Sequence, residues 1–254
     1  MKQIAYLSIA AAIAASTSPF VATSSQNFNS IPYKGYVNTQ SIASKNSSIN
    51  ITSKDVNTKD ELTEIDLKIP VVSGLKDLNL QKKINSMFEK DAISFKNEIE
   101  EMAKEYFEEC KKYDISMPNY SAVVNYKILS KDNNLLSMYI DYYQYTGGAH
   151  GSTTRKSYNI DLNTGKVLDL KDIFKGKLDY KGIIDKTIKN EISRSPNIYF
   201  SEDFKGISDN PCFVIENSNL IIYFQQYEIA PYSSGIPQFN IPLSKFKTNW
   251  YLYN

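Results

Sequence analysis

One histidine serves the whole chain, and it sits in an unusual setting: Tyr143-Gln144-Tyr145-Thr146-Gly147-Gly148-Ala149-His150-Gly151. A serine triad would have to use His150, with Ser152 or Ser157 as its nucleophile. The competing role is a histidine that ties a glycine turn together by hydrogen bonds, and the three glycines favour it, because they mark unusual dihedrals or close backbone approach. Glycosidic chemistry needs two carboxyl groups across a cleft, and Asp141 and Glu228 are the pair placed to supply them. Acids on hairpins, however, usually face water or bond turn amides. One histidine, two distant cysteines and scattered acids show no metal-ligand spacing, so no metal and no cofactor is expected. A second aromatic stretch, Tyr223-Phe224-Gln225-Gln226-Tyr227-Glu228-Ile229-Ala230-Pro231-Tyr232-Ser233-Ser234-Gly235, runs a strand into a turn carrying several rings. Tyr143, Tyr145, Tyr227 and Tyr232 are residue types that anchor interfaces, and equally types that fill a core edge.

Composition narrows the classes. Met1-Lys2, the charge-free run Ile4–Ala15 and the small residues of Ala22-Thr23-Ser24 have the layout of a signal peptide over 1–24, cleaved near Ser24. No later run is apolar for long enough to span a membrane, which predicts a secreted or cell-wall-associated mature chain. The full chain holds 29 basic and 28 acidic side chains, a balance that steers it toward neither nucleic acid nor an anionic membrane. Cys110 and Cys212 could form a disulfide in an exported protein, or remain two buried thiols; Cys110 also continues a helical apolar stripe.

The elements that must position these residues follow from periodicity. Residues 25–60, rich in Ser, Asn and Thr, read as a disordered or loosely packed leader. Ile65, Leu67 and Ile69 alternate as a strand ending at Pro70. Leu80, Ile84, Met87, Phe88, Phe95, Ile99, Met102, Tyr106 and Cys110 then recur as one long amphipathic helix, with a bend or break expected near Asp91. Strands follow at Val124–Ile128 and Leu136–Tyr142 around the turn at 131–134, and again at Tyr158–Leu162. A second, shorter helix carries Tyr180, Ile183, Ile184, Ile188 and Ile192. A hairpin joins Phe213 and Ile215 to Leu220, Ile222 and Phe224. The expected fold is α+β, with antiparallel meandering sheets in two packed subdomains, 61–150 and 151–254.

The two aromatic–glycine motifs, the Asn-x-Asp-Leu-x-Thr-Gly-Lys turn between them and the upstream segment IPVVSGLKDLNLQKKIN resemble the extracellular module of RsiV-type lysozyme-sensing anti-sigma factors. They are equally similar to the non-catalytic N-terminal region of PdaC-type peptidoglycan deacetylases. The resemblance covers roughly residues 60–247 and implies a module in two subdomains, the first PdaC-like and the second like the RsiV C-terminal part. No sigma-binding segment, transmembrane helix or deacetylase domain is evident beside it. What the resemblance implies is a secreted, non-catalytic envelope module that binds a wall glycan or a lysozyme-like protein, with Tyr145, Gly148, His150, Tyr227, Tyr232 and Gly235 as its binding residues. A small secreted glycan or ester hydrolase is the alternative, and a domain with no ligand of its own is the third possibility.

Overall fold

The computed structural model describes residues 49–131, 134–200 and 202–246. The expected signal segment, its cleavage point near Ser24 and most of the leader lie outside the described residues. Within them the chain forms an α+β fold with two sheets. The elements are β1 (Asn50–Lys59), β2 (Thr63–Ser73), α1 (Leu78–Tyr113), β3 (Tyr120–Ser130), β4 (Leu135–Tyr145) and β5 (Ser152–Asp161). After them come α2 (Leu170–Ile173), α3 (Tyr180–Arg194), β6 (Phe213–Glu216), β7 (Asn219–Tyr223) and β8 (Gln238–Pro242). The larger sheet runs in the order β1-β2-β3-β4-β5 and the smaller in the order β6-β7-β8.

Helix α1 starts where Asp77 accepts hydrogen bonds from the Asn79 and Leu80 amides at 2.9 and 3.1 Å, an N-cap that satisfies donors the helix cannot. Its stripe of Leu80, Ile84, Phe88, Ala92, Ile99, Ala103 and Cys110 is buried against the five-stranded sheet. The break expected near Asp91 does not occur. The Asp91 carboxylate instead reaches across to β5, accepting from the Tyr158 hydroxyl at 2.6 Å and pairing with Lys156. A polar residue that looks like an interruption is thus a tie between helix and sheet.

Three further features depart from expectation. The last part of the Ser/Asn/Thr-rich leader is ordered as β1, an edge strand held by backbone pairing with β2. Most of its side chains face water, so it shows no apolar alternation to detect. The meander is interrupted once, because α1 carries the chain across and leaves β2 and β3 parallel, Thr63–Leu67 beside Tyr120–Val124. Strand β2 also passes through Pro70 to Ser73. Beyond Leu67 it pairs with β1 alone, so one side of the strand needs no N–H from the proline. On that open side the Asn85 side chain of α1 takes the place of a neighbouring strand. Its Oδ1 accepts from the Val72 amide and its Nδ2 donates to the Val72 carbonyl, both at 2.8 Å.

A second core gathers α3 (Ile184, Ile188, Ile192) and α2 (Leu170, Ile173) onto Phe213, Ile222 and Phe239 of the small sheet. The two layers meet on the face of the large sheet opposite α1, where β5 supplies its last strand from beyond residue 150. The junction includes a buried polar clip. Ser137 Oγ donates to Asn159 Oδ1 at 2.7 Å and accepts from the Ile215 amide at 2.7 Å, while Asn159 Nδ2 donates to the Phe213 carbonyl at 2.8 Å. Both side chains are essentially inaccessible, at 0% and 2% exposure. Ser137→Ala should therefore orphan the Ile215 N–H and lower stability by about 2 kcal/mol. Urea unfolding should show an earlier midpoint with an unchanged slope. A midpoint equal to that of the wild type would mean the clip is dispensable.

The cysteines settle the alternative that the sequence left open: Cys110 and Cys212 are free thiols, not a bridge. Cys110 is buried at the end of the α1 stripe. Cys212 lies in the layer junction, where its sulfur is 3.8 Å from Gln225 Nε2 and burial pushes its thiol pKa up. Among the described residues, no helix is long and apolar enough to cross a membrane.

Candidate functional site

The two aromatic–glycine motifs, far apart in sequence, meet at one place. The β4–β5 hairpin turns through Gly147 and Gly148, whose φ angles of 94° and 86° suit residues without a Cβ. Gly151 is needed for a different reason. Its backbone crosses so close to β4 that a Cβ would stand 2.3 Å from the Gln144 carbonyl oxygen and 2.5 Å from the Tyr143 ring. The Gly151 carbonyl then collects two donors, the Tyr232 hydroxyl at 2.9 Å and His150 Nδ1 at 3.0 Å. A carbonyl can only accept, so Nδ1 carries a proton, and Nε2 lies 3.4 Å from the Tyr227 hydroxyl. The imidazole stacks on Tyr232 with centroids 3.8 Å apart and an 18° angle between planes. Tyr227 lies 5.7 Å from Tyr232, and Tyr145 donates to the Gly148 carbonyl at 3.1 Å.

The second loop is held to the first by amides. Gln226 Oε1 accepts from the Thr153 N–H at 2.7 Å. Gln225 pairs with the Arg155 backbone in both directions, accepting from its N–H at 3.0 Å and donating to its carbonyl at 2.8 Å. The Gln225-Gln226 pair thus occupies the open side of edge strand β5 and delivers Tyr227, the next residue, to the ring cluster. Tyr227 adopts a left-handed φ of 66°, uncommon for a non-glycine residue, and is 57% exposed. Tyr145 and Tyr232 are half-buried, and His150 and Gly148 face water. Gly235, with φ of 67°, closes the turn after Tyr232 by donating its N–H to the Tyr232 carbonyl at 2.9 Å.

The carboxylate pair has other work. Asp141 is held by Arg155 in a bidentate contact, Nε to Oδ1 and Nη2 to Oδ2, both 2.7 Å, with the two side chains only 12% and 10% exposed. The guanidinium lies 3.6 Å from the centre of the Tyr139 ring. Burial pulls its pKa down, but bonding to Asp141 more than offsets this and holds it above the ordinary arginine value. Glu228 is exposed and accepts from the Gln225 amide at 2.7 Å, capping the turn. Of the serines weighed against His150, Ser157 sits farther along β5 and bonds the Tyr223 hydroxyl, while Ser152 is exposed at the start of β5. Arg155, Gln225 and Gln226 were not singled out from sequence. The signal for Arg155 lay in the register: a turn centred on Gly148 places Asp141 directly opposite it.

The fold is thus α+β with two stacked sheets, its glycine hairpin locked to an aromatic loop. Residues 56–153 match the family "Deacetylase PdaC" and residues 171–244 the family "Protein of unknown function (DUF3298)". Together these matches support an RsiV/PdaC-type module, as the motifs imply. It is 28% identical over 202 residues to anti-sigma-V factor RsiV of Bacillus subtilis, a match covering 76% of this chain and 67% of that protein. It is 27% identical over 113 residues to the peptidoglycan-N-acetylmuramic acid deacetylase PdaC of the same organism, covering 42% of this chain and 24% of that one. Two crystal structures share the fold. A DUF3298-family protein from Bacteroides fragilis has a TM-score of 0.67 at 21% identity, covering 80% of this chain and 94% of its own. A second, from Pseudomonas aeruginosa, has a TM-score of 0.54 at 17% identity, covering 81% and 95%.

Proposed function

We propose that this chain is a secreted, non-catalytic recognition module of the cell envelope, which captures a wall glycan or a wall-degrading protein such as lysozyme on its ring cluster. The observation that carries this reading is the meeting of His150, Tyr232 and Tyr227 in one stack, with Tyr227 held outward at 57% exposure in a backbone conformation that side chains rarely adopt. Strain of that kind persists where surrounding structure enforces it, and it is concentrated at ligand-contacting positions. The named relatives fit. One is an anti-sigma factor and the other a deacetylase, so the shared module is better suited to holding a ligand than to a common reaction. The acids fit as well, since both Asp141 oxygens are engaged by Arg155.

Sedimentation with purified peptidoglycan and capture by immobilised lysozyme, run side by side, test the reading. The wild type should bind at least one of them. Tyr227→Ala should weaken that capture by about 2 kcal/mol, a 30-fold loss typical of an aromatic anchor, while the melting temperature stays put. A wild-type protein that ignores both ligands would end the reading.

A further inference from the structure

The ring cluster is built around the chain's single histidine, and histidine is the side chain whose ordinary titration falls between about pH 5 and pH 8. His150 is engaged on three sides. Nδ1 donates to the Gly151 carbonyl at 3.0 Å, one face lies on Tyr232 with centroids 3.8 Å apart, and Nε2 stands 3.4 Å from the Tyr227 hydroxyl. The residue is also exposed, so protons reach it directly from bulk water.

The other titratable groups around it are phenols and one engaged acid. From β4 come Tyr145 and Tyr143, whose phenol is pushed up by burial and by the neighbouring Tyr232 and Tyr145. The facing loop brings Tyr227, Tyr232 and Glu228, the last of which accepts from the Gln225 amide at 2.7 Å. Among the described residues no carboxylate forms an ion pair with the imidazole. A proton taken up by His150 therefore adds a charge that nothing beside it cancels.

That proton changes what the site presents. Nδ1 keeps its bond in both charge states, because the carbonyl needs a donor. Nε2 reverses its role. In the neutral ring it accepts, and the Tyr227 hydroxyl aims its proton inward. In the imidazolium it donates, and the hydroxyl must turn its proton toward solvent. The stack survives the change, since a cation over Tyr232 is attracted by the ring face. The left-handed backbone of Tyr227 holds the phenol where the imidazole can act on it.

We propose that His150 is a proton switch of the ring cluster. Protonated, it gives the surface a positive charge and an outward Tyr227 donor, which suit an anionic ligand group; neutral, it suits an uncharged or cationic one. The consequence for ligands rests on the recognition reading above and adds its regulation by pH, whereas the switch itself can be observed without any ligand.

Proton NMR of the full chain between about pH 5 and about pH 8 reads the switch. The Tyr227 ring signals, identified by their loss in Tyr227→Ala, should shift with the same midpoint as the single imidazole, and should stay still in His150→Gln. Tyr227 signals that do not follow the imidazole overturn the proposal. Sedimentation with peptidoglycan and capture by lysozyme, at about pH 5.5 and about pH 8, read the consequence. His150→Gln carries only the titrations of the probes themselves. Against that baseline, acidification should tighten wild-type binding of peptidoglycan, with its peptide carboxylates, at least about threefold, and weaken binding of basic lysozyme at least about threefold. If only one probe binds, the sign of its response decides. A wild type that binds a probe with the same pH response as His150→Gln overturns the switch and leaves the recognition reading standing. Binding of neither probe at either pH ends the recognition reading, while the Tyr227 signals still judge the switch.

Discussion

Asp141→Ala should lower stability by about 3–5 kcal/mol, the usual cost of leaving one member of a buried ion pair alone. The reason lies in where the pair sits. Asp141 and Arg155 face each other across β4 and β5 beneath the small sheet, and Arg155 is pressed against Tyr139 with Tyr223 nearby. Without the carboxylate, a guanidinium that is 10% exposed keeps its charge and loses its partner. Replacing both residues together, as Asp141→Leu with Arg155→Met, should cost less than the single change, because the desolvation of both charges is removed with the attraction. Chemical denaturation of the three proteins checks this. A single variant within about 1 kcal/mol of the wild type would show that the junction is held by packing alone.

Gly151→Ala should cost about 3 kcal/mol, at the upper end for overpacking, and should abolish ligand capture as well. The new methyl meets the Gln144 carbonyl, a backbone atom that cannot swing away, and the Tyr143 ring at the same time. The strand crossing must open, and it carries with it the carbonyl that receives Tyr232 and His150. Gly148→Ala is the informative comparison. Its φ of 86° makes a side chain strained, yet the space around it is open, so the penalty should be near 1 kcal/mol, with the ring stack intact. Equal losses at the two positions would refute the crowding argument for Gly151.

Much of this could be read before any coordinates. The α1 stripe and the β3–β4 and β6–β7 hairpins are short-range patterns, and periodicity records short-range burial faithfully. The motif pair pointed to the right loops because glycines and clustered rings mark special backbone and special contacts. What escaped were pairings whose partners are remote or whose signal is carried by the main chain. β1 has no apolar face to betray it. The parallel pairing of β2 with β3 depends on where α1 delivers the chain, not on either strand's own residues. Asp91 reads as a helix interruption until Tyr158 and Lys156 are found opposite it. Asp141 reads as a free acid until hairpin register supplies Arg155.

The amide side chains along the strand edges bear on how the protein behaves among copies of itself. A bare strand edge is a template on which another chain can add a strand, and large sheets are exposed to that hazard at both margins. At the β5 margin, Gln225 and Gln226 already occupy the Thr153 and Arg155 amides and the Arg155 carbonyl, so an incoming strand finds those positions taken. At the β1 margin the protection is of another sort: Lys54, Asp55 and Lys59 project into water, and inserting a neighbour there would mean desolvating charge. Loss of the two glutamines would therefore be felt first as turbidity in a concentrated solution, before any shift in the melting curve of a dilute one.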